Sequence, residues 1–359
     1  MGAALMLARQ ALGSVAPNPA VGCILVKQGI VVGRGRTQAG GRPHAETVAL
    51  QMAGPDATGA TAYVTLEPCN HHGATGPCSE ALIAAGIVRA VIACEDPDPR
   101  VAGGGIKRLA AAGIAVTMGV RATEALEINQ GFFLRITRGR PLVTLKAATS
   151  LDGRTAAHTR ASKWVTGEPA RARGHLLRAQ HDAILVGSAT ARDDDPELTC
   201  RLPGLEARSP VRIVLDGRLR LSLTSRLVRT ARQSPVWVMT LPSADAARKS
   251  AFQECGVEII AVAADTGGSL DLGQAVQALG ERGITRLLVE GGSRVAASFL
   301  RAGLVDRIAW FRAPMVMGGD GVPVAASFGI DAPDQAPRFA RIAAEPVGED
   351  LLETYRVER

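Results

Sequence analysis

Two α/β domains in series are what this sequence predicts, the first over residues 1–138 and the second over 141–359. Three observations carry the prediction. The 359 residues are too many for one ordinary core and suit two domains of common size. Short apolar runs alternate with helix-patterned stretches along the whole chain, the pattern of strands and helices layered about a sheet. The alternation breaks at Gly139-Arg140-Pro141 and then restarts, which marks a linker.

Composition bounds the function. Apolar residues make up 47% and charged residues 21%, a soluble globular balance. Aromatics are only 3%, which argues against a stacking platform for single-stranded nucleic acid. The net charge is +7, with 13 Lys/Arg against 9 Asp/Glu in residues 1–140 and no dense basic block. Such a surface suits phosphorylated small molecules as well as it suits RNA. The N-terminus lacks a signal-peptide pattern, and no apolar run approaches the ~20 residues that span a bilayer. The expectation is a cytoplasmic enzyme with a small-molecule substrate and no membrane or nucleic-acid partner. Of the six cysteines, Cys23 and Cys94 lie in apolar runs and read as buried thiols.

Taken in order, Ala3 to Leu12 has helix-forming composition and stops at Gly13. Pro17-Asn18-Pro19 is a rigid turn that holds Asn18 extended, with its side chain available to a ligand; the alternative is a plain Asx-type turn residue. Val21 to Val26 and Ile30 to Val32 form a hairpin about Gly29. Pro43 opens a helix that runs to Ala53, and strand Thr61 to Leu66 delivers Pro68-Cys69. Cys78 opens the next helix, Ser79 to Ala85, followed by strand Ile87 to Ala93. Gly103-Gly104-Gly105 precedes helix Ile106 to Ala112 and is either a phosphate cradle or a flexible loop. Strand Ile114 to Met118 and helix Ala122 to Thr137 complete the first domain. In the second, strands are expected at 142–148, 183–186, 211–215, 236–240, 257–262, 286–289 and 307–313, with helices between several of them. The strand at 286–289 runs into Glu290-Gly291-Gly292-Ser293 and a helix, where backbone can approach a ligand.

The chemistry concentrates in Pro43-His44-Ala45-Glu46 and Pro68-Cys69 … Cys78. His44, Cys69 and Cys78 are three zinc ligands, and a catalytic zinc keeps its fourth position for water. Zinc lowers the pKa of that water to roughly 7. Glu46, two residues from the His ligand, is placed to shuttle protons. This order is the signature of zinc deaminases of nucleobases and nucleotides. The alternative is a closed structural site with His71 or His72 as fourth ligand; Glu46, for which such a site has no use, favours the open one.

A longer set of motifs carries a resemblance. In the first domain these are Pro17-Asn18-Pro19-Ala20-Val21-Gly22, His44-Ala45-Glu46, Thr65-Leu66-Glu67-Pro68-Cys69, His71-His72-Gly73 and Asp96-Pro97-Asp98-Pro99-Arg100-Val101. In the second they are 146–154, Ser162-Lys163-Trp164, 194–199 and Val289-Glu290-Gly291-Gly292. On these the chain resembles the bifunctional riboflavin-biosynthesis deaminase/reductase family over nearly its whole length. The resemblance implies a cytidine-deaminase-like three-layer α/β/α domain followed by a dihydrofolate-reductase-like α/β domain. It implies zinc-dependent loss of the 2-amino group from 2,5-diamino-6-ribosylamino-4(3H)-pyrimidinone 5′-phosphate, then reduction of the ribosyl group to ribityl by NADPH. It places Ser162, Arg178, Leu198, Arg201 and Glu290 near the phosphorylated substrate, and Asn18 is the residue expected to contact substrate in the first domain. It places Ala148, Trp164, Thr166, Thr190, Asp194, Gly217, Gly291, Gly292 and Ser293 near NADP. Arg178 and Arg201 are expected to share the substrate phosphate. Lys146 is either a substrate-polarising group or a strand-end Lys paired with an Asp. A homodimer or homotetramer through the second domain is also implied.

Overall fold

A computed structural model describes residues 1–73, 76–161 and 165–358. Ser162 and Trp164, two expected site residues, lie outside the described residues. The chain divides into two compact units, Met1–Gly139 and Arg140–Arg359.

The first unit runs α1 (Gly2–Ala11), β1 (Gly22–Lys27), β2 (Ile30–Arg36), α2 (Ala45–Ala53), β3 (Thr61–Val64), α3 (Cys78–Ala84), β4 (Arg89–Ile92), α4 (Gly104–Ala111), β5 (Ala115–Met118) and α5 (Ala122–Arg138). Its sheet has the order β2-β1-β3-β4-β5, antiparallel through β3 and parallel beyond. The helices lie close on the sheet because small residues line the contact. A Cβ on Gly35 of β2 would stand 2.0 Å from the Ala45 carbonyl oxygen, so only glycine lets the start of α2 settle there. That contact fixes the first turn of α2, which carries His44 and Glu46. Leu5, Leu25, Val64, Leu82, Ile92 and Leu109 fill the core. Cys23 and Cys94 are buried free thiols, as their apolar surroundings predict.

The second unit runs β6 (Leu142–Thr149), β7 (Arg154–Ala156), α6 (Glu168–Ala179), β8 (Ala183–Gly187), α7 (Ser188–Asp193), β9 (Val211–Leu215), α8 (Arg226–Arg229), β10 (Val236–Thr240), α9 (Ala246–Glu254), β11 (Glu258–Ala261), α10 (Leu272–Glu281), β12 (Arg286–Val289), α11 (Ser293–Arg301), β13 (Arg307–Arg312), β14 (Val322–Pro323), β15 (Phe339–Val347) and β16 (Asp350–Val357). Among the described residues a nine-stranded sheet has the order β11-β10-β9-β8-β12-β6-β13-β16-β15. Its strands from β11 to β13 are mutually parallel, and β16 and β15 add an antiparallel edge. Alternate side chains of β8 feed two cores, Leu185 with Phe299 on one face and Ile184 and Val186 with Phe252 on the other. Burial on both faces explains the unbroken apolar run of that strand. At the head of the unit, Arg140 donates to both carboxylate oxygens of Asp306 at 2.7 and 2.9 Å and to the Pro141 carbonyl at 2.9 Å.

The β15–β16 pair is absent from the sequence reading. The short strands β7 and β14 are absent from it as well; the other strands begin and end within a few residues of expectation, and Gly103-Gly104-Gly105 belongs to the start of α4.

Candidate functional site

His44 caps α2, and Cys78 is the first residue of α3. Cys69 sits beyond the end of β3. His44 Nδ1 lies 3.6 Å from Cys69 Sγ and 3.4 Å from Cys78 Sγ, and the Cys78 amide donates to Cys69 Sγ at 3.4 Å. Zinc bound to one nitrogen and two sulfurs at tetrahedral angles would separate N and S by about 3.6 Å. The donor set fits zinc. Without a cation the Cys69 thiol is held down to about 4 by its hydrogen bond with Cys78 and by His44, while Cys78 is pushed up by the same hydrogen bond and by burial. A divalent cation bound by His44, Cys69 and Cys78 would favour the thiolate form of both cysteines. Neither His71 nor His72 joins the three donors, so the closed alternative lacks its fourth ligand.

Glu46 is 3% exposed and stays off the metal cluster. Burial, followed by the nearby Cys69 charge, pushes its carboxyl up to about 7. A carboxyl in that range can both take and give a proton at neutral pH. Glu46 lines a cavity of about 100 Å³ with Asn18, His71, Asp96, Asp98 and Arg100, among others. The Asn18 amide donates to the Gly41 carbonyl at 3.0 Å. The turn that bears it is clamped from α5, where Asn129 accepts from the Ala20 amide at 2.8 Å and donates to the Ala20 carbonyl at 3.0 Å. His71 Nδ1 is buried without a partner.

The glycine run before α4 does cradle an anion, but one supplied by the chain itself. Glu67, 3% exposed, accepts from the backbone amides of Asp96, Gly103, Gly105 and Ile106 at 2.9–3.2 Å. A Cβ on Gly105 would stand 2.0 Å from the Pro68 carbonyl oxygen, so this approach requires glycine. Glu67 thereby ties the Cys69 segment to the Asp96–Val101 loop. Sequence reasoning quoted both motifs without linking them; the acidic residue directly before Pro-Cys was the available signal.

In the second unit Lys146, Ala148, Thr166, His175, Arg178, Arg201 and Glu290 line one cavity of about 190 Å³. Arg178 Nε and Nη2 donate to the two Glu290 oxygens at 2.8 and 2.9 Å, and Nη1 donates to the Thr199 carbonyl at 3.0 Å. The expected sharing of a phosphate by Arg178 and Arg201 is therefore revised. The Arg178 fork is committed to Glu290, whereas the Arg201 side chain is exposed and meets Glu197 at 3.5 Å. Lys146 Nζ lies 3.8 Å from Glu290, so its partner is a Glu and not an Asp. Burial alone would raise the Glu290 carboxyl; the charges of Arg178 and Lys146 outweigh it and hold the group at about 2. His175, which accepts from the Arg201 amide at 3.3 Å, was missed in the sequence because its partner lies 26 residues away.

The expected NADP residues divide. Ala148 and Thr166 are in this cavity, and Gly217 lines another of about 570 Å³ with Ser188 and Arg294. A Cβ on Gly291 would stand 2.5 Å from Val186 Cα, and one on Gly292 would stand 2.9 Å from Thr190 Oγ1, so the turn into Ser293 and α11 is packed against β8 and α7. Leu198 is buried in the apolar core, with a left-handed φ of 57°, and Asp194 is exposed; neither lines the two cavities. The larger cavity carries four arginines, Arg218, Arg220, Arg294 and Arg301, which suits a polyanion such as a dinucleotide phosphate. Among the described residues no helix is long and apolar enough to cross a membrane.

Comparison with known proteins agrees. Residues 141–352 match the RibD C-terminal domain, and residues 1–94 match the cytidine and deoxycytidylate deaminase zinc-binding region. The riboflavin biosynthesis protein RibD of Aquifex aeolicus is 42% identical over 97% of this chain and 95% of that protein. That of Escherichia coli is 40% identical over 98% and 96%. The crystal structure of Acinetobacter baumannii RibD superimposes with a TM-score of 0.88 at 36% identity, covering 99% of this chain and 97% of that one. A Thermotoga maritima diaminohydroxyphosphoribosylaminopyrimidine deaminase/5-amino-6-(5-phosphoribosylamino)uracil reductase gives 0.86 at 34%, covering 100% and 97%. The fold is thus a cytidine-deaminase-like unit followed by a RibD reductase unit, with zinc and NADPH as cofactors. The chain belongs to the RibD family of bifunctional riboflavin-biosynthesis deaminase/reductases.

Proposed function

We propose that residues 1–138 deaminate 2,5-diamino-6-ribosylamino-4(3H)-pyrimidinone 5′-phosphate and that residues 141–359 reduce the product. The observation that carries this reading is the open cluster of His44, Cys69 and Cys78 beside a buried, unligated Glu46. His44, Cys69 and Cys78 would hold zinc, which when bound acidifies water toward neutral pH. Water adds at C2 of the ring, and ammonia leaves. Glu46 takes a proton from the water and passes it to the departing nitrogen. Asn18 and the Asp96–Arg100 loop hold the substrate.

In the second unit Ala148, Thr166, Thr190, Asp194, Gly217 and Gly291-Gly292-Ser293 would hold NADPH, which when bound supplies a hydride from its nicotinamide ring. The C1′–O4′ bond of the ribose breaks, a C1′–H bond forms and O4′ takes a proton, leaving a ribityl chain. Glu290, kept ionised by Arg178 and Lys146, orients the sugar; Arg201 receives the phosphate, and Leu198 keeps the substrate-side role that the resemblance implies. Ser162 and Trp164 keep the substrate and NADP roles that the resemblance implies. The proposal includes a cytoplasmic homodimer or homotetramer that acts on this small molecule and on no nucleic acid or membrane.

Mass spectrometry of the diaminopyrimidine ribotide after incubation with zinc-loaded protein tests it. Exchange of an amino group for oxygen without NADPH, then gain of two hydrogens with it, is the expected result. An unchanged spectrum overturns the reading.

A further inference from the structure

One buried cation of the second unit has no part in the two reactions as described. Arg212 on β9 is 0% exposed, and among the described residues no carboxylate stands within ion-pair distance of it. Its guanidinium is held by neutral oxygens instead. Nη1 donates to the Glu197 carbonyl at 3.2 Å and to Thr230 Oγ1 at 2.8 Å. Nη2 donates to the Thr230 carbonyl at 3.1 Å and to the Ser234 carbonyl. Nε is buried without a partner. Burial pulls the group down to about 10, against the attraction of the Glu197 carboxylate. Desolvating a charge is costly, and an apolar side chain of like volume is often as stable in such a place. What the arginine adds is a directional hold on three carbonyls.

The Thr230 and Ser234 carbonyls belong to the segment between α8 and β10. The Glu197 carbonyl belongs to the loop that enters the reductase cavity. That loop carries backbone strain: Asp195 and Leu198 are left-handed, with φ of 40° and 57°. Bulky side chains rarely adopt that region, and it persists only where the surroundings enforce it. Upstream, the Arg226 amide donates to the Asp195 carboxylate at 2.8 Å. Leu198 itself is buried in the core with Leu227 and Val228. Downstream, the Thr199 carbonyl accepts from Arg178 and the Arg201 amide donates to His175. Arg212 lines neither that cavity nor the larger one. Its hold on Glu197 falls directly before the strained leucine, and the contacts of the loop with the site fall directly after it.

We propose that Arg212 is a positioning residue for the reductase: by fixing the Glu197 carbonyl it sets the left-handed turn at Leu198 and so places Arg201 at the cavity. The inference rests on reading Arg201 as the residue that receives the substrate phosphate. Without the hold, the strained turn relaxes and Arg201 leaves its place, while Arg178 keeps its two bonds to Glu290.

Steady-state reduction of the deaminated ribotide by the full-length protein, at saturating NADPH, tests this. Arg212→Met keeps the bulk and removes the hold. It should raise the ribotide KM roughly 3- to 30-fold, lower kcat less, and leave NADPH affinity by nicotinamide fluorescence unchanged. Arg212→Lys retains the charge but reaches fewer carbonyls, so its KM should fall between; it carries the comparison where the methionine variant does not fold. Arg201→Ala should raise the same KM. Combined with Arg212→Met it should add less than the two separate losses, because both act through one group. Val238→Ala opens the core of that face from β10; it should lower the urea midpoint and leave KM as it was. An additive double variant, a KM raised by Val238→Ala as well, or a KM unchanged in both Arg212 variants overturns the inference. A KM unchanged in Arg201→Ala overturns instead the reading of Arg201 as the phosphate residue.

Discussion

Each unit buries one glutamate at its site, and the two have opposite fates. Glu46 is 3% exposed, with thiol sulfur as its main charged neighbour, and its carboxyl rises to about 7. The Glu290 side chain is 8% exposed, yet Arg178 and Lys146 hold it at about 2. Burial alone raises both. Among the protein's own charges, what separates them is whether a basic side chain is buried alongside. The first arrangement makes a proton carrier, and the second makes a permanent anion that can orient a substrate but not exchange protons near neutral pH.

The sharpest way to break this contrast is Glu46→Gln. It should lower the deamination kcat roughly 10²- to 10⁴-fold, with zinc content by atomic absorption and NADPH-dependent reduction both unchanged. Loss of metal would make Glu46 a ligand and end the comparison. Cys69→Ala should instead lose zinc and deamination together and keep the reduction. Glu290→Ala leaves two cations facing each other in a buried site, so the second unit should lose about 3 kcal/mol of stability. All three tryptophans, Trp164, Trp237 and Trp310, lie in that unit, so their fluorescence during urea unfolding reports on it. A midpoint equal to wild type would show that the cations do not depend on Glu290.

Glu67→Gln puts an amide donor against backbone donors and should cost about 2 kcal/mol. The expected kinetic mark is a raised KM for deamination with zinc retained; zinc loss at constant KM would place its effect on the ligand loop alone. The last effect is acid sensitivity, spread over a pH range. Glu290 titrates at about 2 when folded against 4.5 ordinarily, so the unfolded chain takes up the proton first. Its contribution is complete above about pH 4.5 and is lost as pH falls toward 2, by at most ~1.4 kcal/mol per pH unit. Tryptophan-monitored unfolding of wild type and Glu290→Ala across that range should converge at the acid end.

Much of this was legible in the chain. The central strands announce themselves as apolar runs because both faces are covered, and the metal donors stand in short motifs, two of them at helix starts. The hairpin of β15 and β16 was invisible for the complementary reason: Phe339–Val347 is largely exposed and lacks regular alternation. The links between site residues that escaped notice join distant positions. Glu67 reaches amides 29 to 39 residues away, and Arg178 reaches Glu290 across 112. Local spacing says nothing about such pairs. For the same reason a phosphate was assigned to Arg178, whose fork the fold had already filled.

The buried bond between Arg140 and Asp306 has a consequence for ancestry. The first residue of the second unit is held by a carboxylate from deep within that unit, together with the Pro141 carbonyl. A gene that began at codon 140 would still encode both halves of the pair. The codons around Gly139 are thus a seam at which two independent reading frames can be fused or parted without orphaning this buried charge.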